Sequence, residues 1–341
     1  MDTNHISCTH FFLKTSPFTS HLTIINLHPK EAHIHSTHRR ESLHTHPTLW
    51  LIGAGRLGSA LCHSLYTQGW SPTGIWNRSS RDFSHLPCHT STGPHPPQAL
   101  YEADVVLLTV ADDAIQNTFS RLLQKWSTKA KTIFLHCSGR LSSDTLSHET
   151  HRTLSVGGFH PLQAITDIQK AQLFEDIAVG IDGEPDAFQQ AQAIVELLGG
   201  EAFSLEGVDK ALYHAAAVTA SNYLVTLASV AQGLLKDAGL QGEGLPLLLP
   251  LMKIALHNIE RRGLPEALTG PLARADNATI AAHLQALESV SPVHKDLYVK
   301  LAQHTLPLAT QLQIQREGND EGLDAIKKML STSEESSRKR K

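Results

Sequence analysis

A chain of 341 residues is long enough for two domains, each with its own buried core. Its hydrophobic and charged fractions, 41% and 18%, are those of a soluble globular protein, and its net charge of -4 argues against nucleic acid or an anionic membrane as the main partner. No apolar run reaches the ~20 residues of a membrane span. We expect no secretory leader, because the first residues show no basic start followed by an apolar core.

The four cysteines are scattered along the chain and form no C-x-x-C pair. Such spacing is typical of reduced thiols and not of a disulfide framework. We therefore expect a cytoplasmic protein.

The two ends of the chain differ from the rest in composition. Residues 1–46 hold nine of the 22 histidines, separated by Ser and Thr and without a sustained period. The clustered histidines could bind a metal, but no spacing among them fixes a ligand geometry, so the segment reads more simply as a disordered extension with no metal site. Residues 329–341 are rich in Ser, Lys and Arg and predict a disordered tail.

Between the ends, short apolar runs alternate with helix-like segments. This alternation predicts an α/β domain over residues 47–205, with a Rossmann-type parallel sheet covered on both faces, followed by an all-helical domain over 206–328. The predicted strands are 49–52, 74–76, 105–110, 132–135, 153–156 and 177–181. The predicted helices are 57–68, 115–126, 185–198, 208–238, 247–261, 277–287 and 292–316.

The segment 208–238 is apolar on most sides. A helix of this kind has to be buried, either between other helices of the same chain or against a second subunit. We expect the second arrangement, a homodimer, because few helices follow this one in the chain.

The first strand runs into Gly53-x-Gly55-x-x-Gly58, which opens a helix. The glycines could serve only the turn, but this strand–turn–helix context is the one in which the motif binds a dinucleotide pyrophosphate at the helix N-terminus. The predicted cofactor contacts in the turn are Gly53, Gly55, Arg56, Leu57 and Gly58.

The end of the second strand indicates which dinucleotide is bound. An NAD site normally places Asp or Glu there, whereas this chain has Asn77, Arg78 and Ser79. Because a guanidinium and hydroxyls suit a 2′-phosphate, these residues predict NADP(H) as the cofactor.

The fourth strand ends in VADD, at the edge of the sheet where the nicotinamide half of a dinucleotide lies. Val110, Ala111 and Asp112 are therefore predicted cofactor contacts. Asp113 is expected to cap the following helix.

A polar stripe runs along the long helix. At 100° per residue, Lys210, His214 and Ser221 share one face, and Asn222 lies at its margin. Lys and His together on a face that borders the crevice suit proton transfer, although a buried histidine is often structural. Ser138, in HCSG after another strand, is a further candidate for substrate binding.

Six segments carry a resemblance to a known family: IGAGRLGSAL, VADDAI, HCSG, FHPLQ, YHAAAVTASNYLVTL and LTGPLARADNATIAAHL. Together they resemble Rossmann-like proteins with a C-terminal domain of unknown function, DUF2520, which are relatives of pyrroline-5-carboxylate reductase, ketopantoate reductase and F420-dependent NADP oxidoreductases. The resemblance implies an NADP-type Rossmann domain, a dimerising helical domain and a reductase activity. It makes His160 of the HP pair a catalytic candidate, as in prephenate dehydrogenases.

The resemblance leaves the substrate open, because the Lys-x-x-x-Asn pair of β-hydroxyacid dehydrogenases is Lys210 and His214 here. We expect an oxidoreductase of a small, anionic carbonyl, imine or hydroxy compound, with Lys210, His214 and His160 as catalytic residues. Arg274 could bind a substrate carboxylate, or it and Asp276 could simply pair and cap helix ends. The alternative is a non-catalytic NADP-binding sensor or scaffold.

Overall fold

A computed structural model describes residues 46–126, 131–146, 153–168, 172–315 and 321–338, with side chains as far as 334. The histidine-rich extension therefore lies outside the described residues, except for His46, whose ring stacks on Trp70 with centroids 5.0 Å apart. From His46 onwards the chain forms one compact unit.

The sheet has eight strands in the order β3-β2-β1-β4-β5-β6-β7-β8. Neighbouring strands are parallel except β6 and β7, which are antiparallel. The strands are β1 (Leu49–Ile52), β2 (Gly74–Asn77), β3 (His89–Thr92), β4 (Val105–Leu108), β5 (Thr132–His136), β6 (Leu154–Pro161), β7 (Ala178–Gly183) and β8 (Glu201–Ser204). The predicted Rossmann-type sheet is thereby confirmed. The strand order reverses at β1 and β4, which places a ligand crevice at their carboxyl ends.

The sequence prediction missed the two edge strands and half of β6. Strands β3 and β8 are partly exposed and read HTST and EAFS, so they lack the apolar run that marks a buried strand. Strand β6 was expected to end at residue 156, before two glycines, but it continues to Pro161. A side chain at Gly157 would lie 2.7 Å from the Asp182 carbonyl, so the glycine lets β6 and β7 approach closely.

Three helices cover the two faces of the sheet: α1 (Arg56–Thr67), α2 (Asp112–Leu123) and α3 (Pro185–Leu198). One apolar cluster joins α1 and α3 to one face, and a second joins α2 to the other. Fully buried aromatic residues such as Phe119, Phe134 and Phe159 fill both clusters. The α/β region thus completes its core within one chain.

Within the described residues, six helices follow the sheet: α4 (Lys210–Asp237), α5 (Leu245–Arg262), α6 (Gly270–Ala273), α7 (Asn277–Val290), α8 (Pro292–Gln315) and α9 (Glu321–Arg338). Helix α4 begins at Lys210, two residues later than predicted, because the Asp209 carboxylate accepts the Leu212 N–H at 3.0 Å and caps it. Helices α7, α8 and α9 share a separate apolar cluster.

The prediction of a disordered tail from residue 329 is wrong for residues 329–338, which continue α9. The helix is anchored by Leu323, Ile326 and Leu330, which are spaced along one face and are at most 4% exposed. Residues 339–341 lie outside the described part of the chain.

Helices α4 and α5 bury almost none of their apolar side chains. Lys210 is the one buried residue of α4, and α5 has none, among the residues that the structure describes. Leu212, Val225 and Leu251 are 70%, 71% and 64% exposed. No helix in the described ranges combines the length and apolar content that a membrane span needs.

Candidate functional site

The turn between β1 and α1 uses its three glycines in different ways. Gly53 has a φ of +106°, which favours glycine, and its N–H donates to the Trp76 carbonyl at 2.9 Å. A side chain at Gly58 would collide with the Gly53 carbonyl and the Thr109 hydroxyl. At Gly55, by contrast, a Cβ would meet no protein atom within 4 Å. Gly53 and Gly58 are thus required by the fold, whereas Gly55 leaves open space in front of the helix.

A groove of about 670 Å³ runs from this turn along the ends of β1, β2 and β4. Of the predicted cofactor residues, it is lined by Gly53, Gly55, Asn77, Arg78, Ser79, Val110 and Ala111. The α1 N-terminus opens beside it without a capping side chain, so backbone N–H groups are available there. The groove therefore has the shape and backbone donors that a bound pyrophosphate requires.

The groove is strongly basic at the end that lies beyond β2. Arg78, Arg81, Arg121 and Lys125 line it, and Asp113 is the single carboxylate among the described lining residues. Arg121 lies in the last turn of α2, Lys125 lies in the turn just after that helix, and sequence reasoning missed both. In the predicted helix 115–126 their i, i+4 spacing places them on one face, which is the signal that could have found them.

Asn77 organises this basic end. Its side-chain oxygen accepts the Ala54 N–H at 3.2 Å, and its amide nitrogen donates to the Ser79 carbonyl at 2.6 Å. Asn77 thereby ties the glycine turn to the segment that carries Arg78, so its contacts organise the groove's wall.

Of the two acidic residues after β4, Asp113 does not cap α2 as predicted, and Asp112, a predicted cofactor contact, does not line the groove. Asp113 was expected to cap α2, but α2 begins at Asp112 and its N-cap residue is Ala111, with no side-chain cap. Asp113 instead lines the groove, and Asp112 lies 3.6 Å from the Arg140 guanidinium. Helix α2 begins at Asp112 and not at the predicted residue 115, because acidic side chains are also favourable inside a first helical turn.

A second cavity, of about 450 Å³, lies next to the glycine turn on the side of α4. Its lining brings together the start of α1, the ends of β5 and β6, and the middle of α4: Arg56, Leu57, Cys137, His160, Pro161, Gln163, Ala164, Ile165, Thr166, Ser221 and Asn222. Arg56 and Leu57, predicted as cofactor contacts, therefore face this cavity, together with three of the predicted catalytic and substrate residues.

His160 stands at the centre of a ring cluster. Its Nδ1 lies 2.7 Å from the Tyr213 hydroxyl, and its ring centroid lies 5.8 Å from that of His214. Gly139 separates the two rings, since a Cβ there would lie 2.6 Å from His160 Nε2 and 2.7 Å from His214 Nδ1. Sequence reasoning missed Tyr213, although it directly precedes His214 in the chain.

Burial decides the protonation of this cluster. Desolvation, followed by the neighbouring His214 and Lys210 charges, lowers the pKa of His160 to about 4. Burial also raises the pKa of Tyr213 to about 12. Near neutral pH the Tyr213 hydroxyl is therefore the donor to a neutral His160, whose Nε2 carries the remaining proton and points towards Gly139. Within the described residues, His214 Nδ1 is buried without a hydrogen-bond partner.

Lys210 forms an ion pair that the sequence did not predict. Its ammonium lies 2.8 Å from Asp182 Oδ1, and both side chains are 8% exposed. Asp182 Oδ2 also accepts the Ser143 N–H at 3.0 Å. A carboxylate within the apolar strand AVGIDG is the signal that could have found Asp182, because buried charges are paired.

The remaining candidates have mainly local partners. The Ser138 hydroxyl accepts the N–H groups of Arg140 and Leu141 at 3.2 and 3.1 Å and fixes the loop after β5. Arg274 is exposed at the end of α6 and lines neither cavity. Asp276 caps α7 by accepting the Thr279 N–H at 3.1 Å.

Residues 177–305 match a family model described as "Domain of unknown function (DUF2520)". The match begins at β7, inside the region that the sequence prediction assigned to the nucleotide-binding domain. No curated protein matches the chain. The predicted resemblance to DUF2520 proteins is confirmed for this segment.

Solved structures share the fold at low identity. The chain is similar to protein TM1727 from Thermotoga maritima. The two are 24% identical over 77% of this chain and 100% of that one, with a TM-score of 0.63. A reductive aminase from Aspergillus terreus, solved with NADPH4, cyclohexanone and allyl amine, is 16% identical (77% and 94% covered, TM-score 0.52). A pyrroline-5-carboxylate reductase from Coxiella burnetii is 17% identical (78% and 98% covered, TM-score 0.51). The resemblance to ketopantoate reductase and F420-dependent enzymes stays a prediction.

Proposed function

We propose that this protein is an NADP(H)-dependent oxidoreductase of a small, anionic carbonyl, imine or hydroxy compound. The observation that carries the proposal is the adjacency of the two cavities. A basic groove with an open glycine turn adjoins the second cavity (the histidine cavity), at the switch point of a parallel sheet. This cavity is lined by His160, whose ring lies 5.8 Å from that of His214. The fold shared with reductive aminase and pyrroline-5-carboxylate reductase agrees with this reading.

The groove residues fit NADP(H) in charge and in space. The open position at Gly55 admits a pyrophosphate to the N–H groups of α1, and Arg78, Arg81, Arg121 and Lys125 suit the 2′-phosphate of the adenosine end. The bound cofactor would supply or accept a hydride at its nicotinamide ring.

The protein's own groups handle the proton. Because Tyr213 donates to His160 Nδ1, His160 Nε2–H is available to bind the substrate oxygen or nitrogen and to polarise its double bond. His214 Nδ1, which faces Gly139 beside it, delivers the proton that balances the hydride. Ser221 and Asn222 orient the substrate, and Arg56 binds its anionic group at the mouth of the cavity.

The sequence predicts Lys210 as a catalytic residue. We propose that it also holds other residues of the site in position. Its ammonium is held by Asp182, and its charge contributes to the lowered pKa of His160. Through the ion pair, Lys210 anchors the first turn of α4 to β7 and so sets the position of Tyr213 and His214 over the sheet.

We further propose that two chains pair through α4 and α5. Exposed apolar side chains on both helices, Leu212, Tyr223, Val225, Leu247, Leu251 and Ile254 among them, make a surface larger than monomers usually leave uncovered. A second copy would bury it around a two-fold axis and could bring Arg274 of one chain towards the histidine cavity of the other.

Transfer of label from 4-deuterated NADPH tests the proposed activity. Purified protein is incubated with this cofactor and a panel of small keto acids, aldehydes and cyclic imines, and the products are analysed by mass spectrometry. We expect deuterium in at least one product, loss of that transfer in His160→Gln and His214→Ala, and unchanged NADPH affinity in both variants. Tight NADPH binding without transfer to any metabolite, in the panel or in a cell extract, would favour the non-catalytic sensor instead.

A further inference from the structure

Two cysteines that the proposed chemistry does not use face each other between α1 and the β2–β3 connection. Cys62 Sγ, on α1, lies 2.9 Å from Cys88 Sγ, in the residue just before β3. Both are free thiols. Cys62 is fully buried, whereas Cys88 is half-buried and so can be reached from solvent.

The surrounding packing holds the two sulfurs together. Cys62 belongs to the apolar cluster that also contains Phe83 and Leu86, the residues that anchor the segment before Cys88. Next to the sulfurs, the rings of His63 and His85 stack with centroids 6.1 Å apart. Helix α1 and the β2–β3 connection are therefore in contact on both sides of the thiol pair, so a bond between the sulfurs needs little movement of either element.

The two thiols differ in reactivity. The hydrogen bond from Cys62 lowers the pKa of Cys88, and the same interaction, together with burial, raises the pKa of Cys62. Cys88 is thus the accessible sulfur with thiolate character, and Cys62 is its protonated neighbour. Cys137, in contrast, is buried, and burial raises its pKa, so it has neither property.

We propose that Cys62 and Cys88 form a reversible disulfide when the protein meets a small-molecule disulfide such as oxidised glutathione. The Cys88 thiolate attacks one sulfur of glutathione disulfide, forms a mixed disulfide and releases one glutathione thiolate. Cys62 then loses its proton and attacks Cys88 Sγ, which breaks the mixed disulfide and releases the second glutathione. The two protein thiols are oxidised, one glutathione disulfide is reduced to two glutathiones, and the two thiol protons go to the released thiolates.

The disulfide would join two elements that border the cofactor groove. Helix α1 begins directly after Gly55, and the β2–β3 connection carries Arg78 and Arg81. A cross-link between them closes a loop of 26 residues in sequence separation and restricts the unfolded chain. The reduced protein keeps the connection in place by packing alone, and the oxidised protein fixes it covalently.

Mass spectrometry of the full-length protein carrying Cys8→Ser tests the proposal, since this background removes the cysteine outside the described residues. After incubation with oxidised glutathione, we expect a mass loss of two hydrogen atoms, a proteolytic fragment joining the Cys62 and Cys88 peptides, and unmodified Cys137. The melting temperature should rise by roughly 5 °C. Dithiothreitol should reverse both changes.

Two variants locate the reaction. In Cys62→Ala, glutathione should remain attached to Cys88, because no neighbouring thiol displaces it; in Cys88→Ser, neither modification should form. The proposal is overturned if the Cys8→Ser protein stops at the stable mixed disulfide, if Cys62 and Cys88 stay free, or if Cys137 takes part. These readouts do not depend on any catalytic activity.

Discussion

The α/β region and the α4–α5 pair differ in how much of their apolar surface one chain covers. In the α/β region, strands β1 and β4 are buried throughout, and α1 and α3 each bury several residues against the sheet. In α4, a helix of 28 residues, Lys210 alone is buried, and α5 buries none within the described residues. The apolar side chains of the strands are thus buried within one chain, whereas those of α4 and α5 are exposed to solvent.

This difference indicates which function a single chain has by itself and which function depends on pairing with a second chain. The basic groove is built by elements whose packing is complete, so we expect cofactor binding to be a property of each chain. The histidine cavity is lined partly by α4, whose other faces are exposed. We therefore expect catalysis to depend on the pairing that covers α4, and the following variants affect the two regions separately.

The largest effect is expected at Gly58. Gly58→Val should prevent the α/β region from folding, because its side chain would occupy the space of the Gly53 carbonyl and the Thr109 hydroxyl. Gly55→Ala is the matched control, since a Cβ there meets no protein atom within 4 Å. It should keep the wild-type melting temperature but lose NADPH affinity. Circular dichroism and a cofactor titration separate the two losses; a stable Gly58→Val would contradict the packing argument.

The next effect concerns the one buried residue of α4. Lys210→Ala leaves Asp182 as an unpaired buried charge and should lower the free energy of unfolding by about 3 kcal/mol. Lys236→Ala, at an exposed position of the same helix, should change it by less than about 0.5 kcal/mol. Urea denaturation measures both. Equal stability of the two variants would show that the ion pair does not anchor α4.

The exposed helices carry the third prediction. Val225→Lys combined with Leu251→Lys places charges on the apolar faces of α4 and α5 and should weaken dimerisation by about a hundredfold, or 2.7 kcal/mol. Light scattering after size exclusion should change from twice 37.3 kDa to 37.3 kDa, while NADPH affinity stays constant. Tyr66→Lys, at a 53% exposed position on α1, should leave the dimer intact. A monomeric wild type at micromolar concentration would refute the pairing.

A smaller effect is expected in the basic groove. Arg78→Glu removes one of four cations near the proposed 2′-phosphate and adds a repelling charge, so NADPH affinity should fall about tenfold, or 1.4 kcal/mol. NADH affinity should change little, because NADH has no phosphate at this place. A parallel loss of both affinities would mean that Arg78 supports the groove and does not recognise the phosphate.

A further prediction concerns the pH dependence of stability. His160 has a folded-state pKa of about 4, below its value of 6.5 in the unfolded chain. Between these values the unfolded state binds more protons, so wild-type stability should decrease as the pH falls from 6.5 to 4. His160→Gln should flatten this decrease, whereas His304→Gln, at an exposed position on α8, should not. Identical pH profiles for wild type and His160→Gln would contradict the burial argument.

The sequence predicts the elements whose pattern is local. The apolar run of β1, the glycine turn and the amphipathic α3 are readable because burial imposes their periodicity, and the Rossmann-type sheet follows from their alternation. The edge strands β3 and β8 escaped prediction because they are partly exposed and carry mixed residues. Helix α9 was missed although Leu323, Ile326 and Leu330 give it an apolar face.

The site is less predictable because its contacts join distant parts of the chain. The glycines and Arg78 are recognisable from a motif, but Asp182 meets Lys210 across 28 residues and Tyr213 meets His160 across 53. No local pattern encodes such pairs. The sequence correctly placed Lys210 and His214 on one helix. Their partners, the Asp182 carboxylate for Lys210 and the His160 ring for His214, follow only from tertiary packing.

The central claim, that the groove binds NADP(H), is tested most directly by titrating the purified protein with NADPH and with NADH. Trp76 lines the groove, so its fluorescence reports binding of either cofactor. The account predicts that NADPH binds at least about tenfold more tightly than NADH, a difference of about 1.4 kcal/mol. Equal affinities, or tighter binding of NADH, would contradict it.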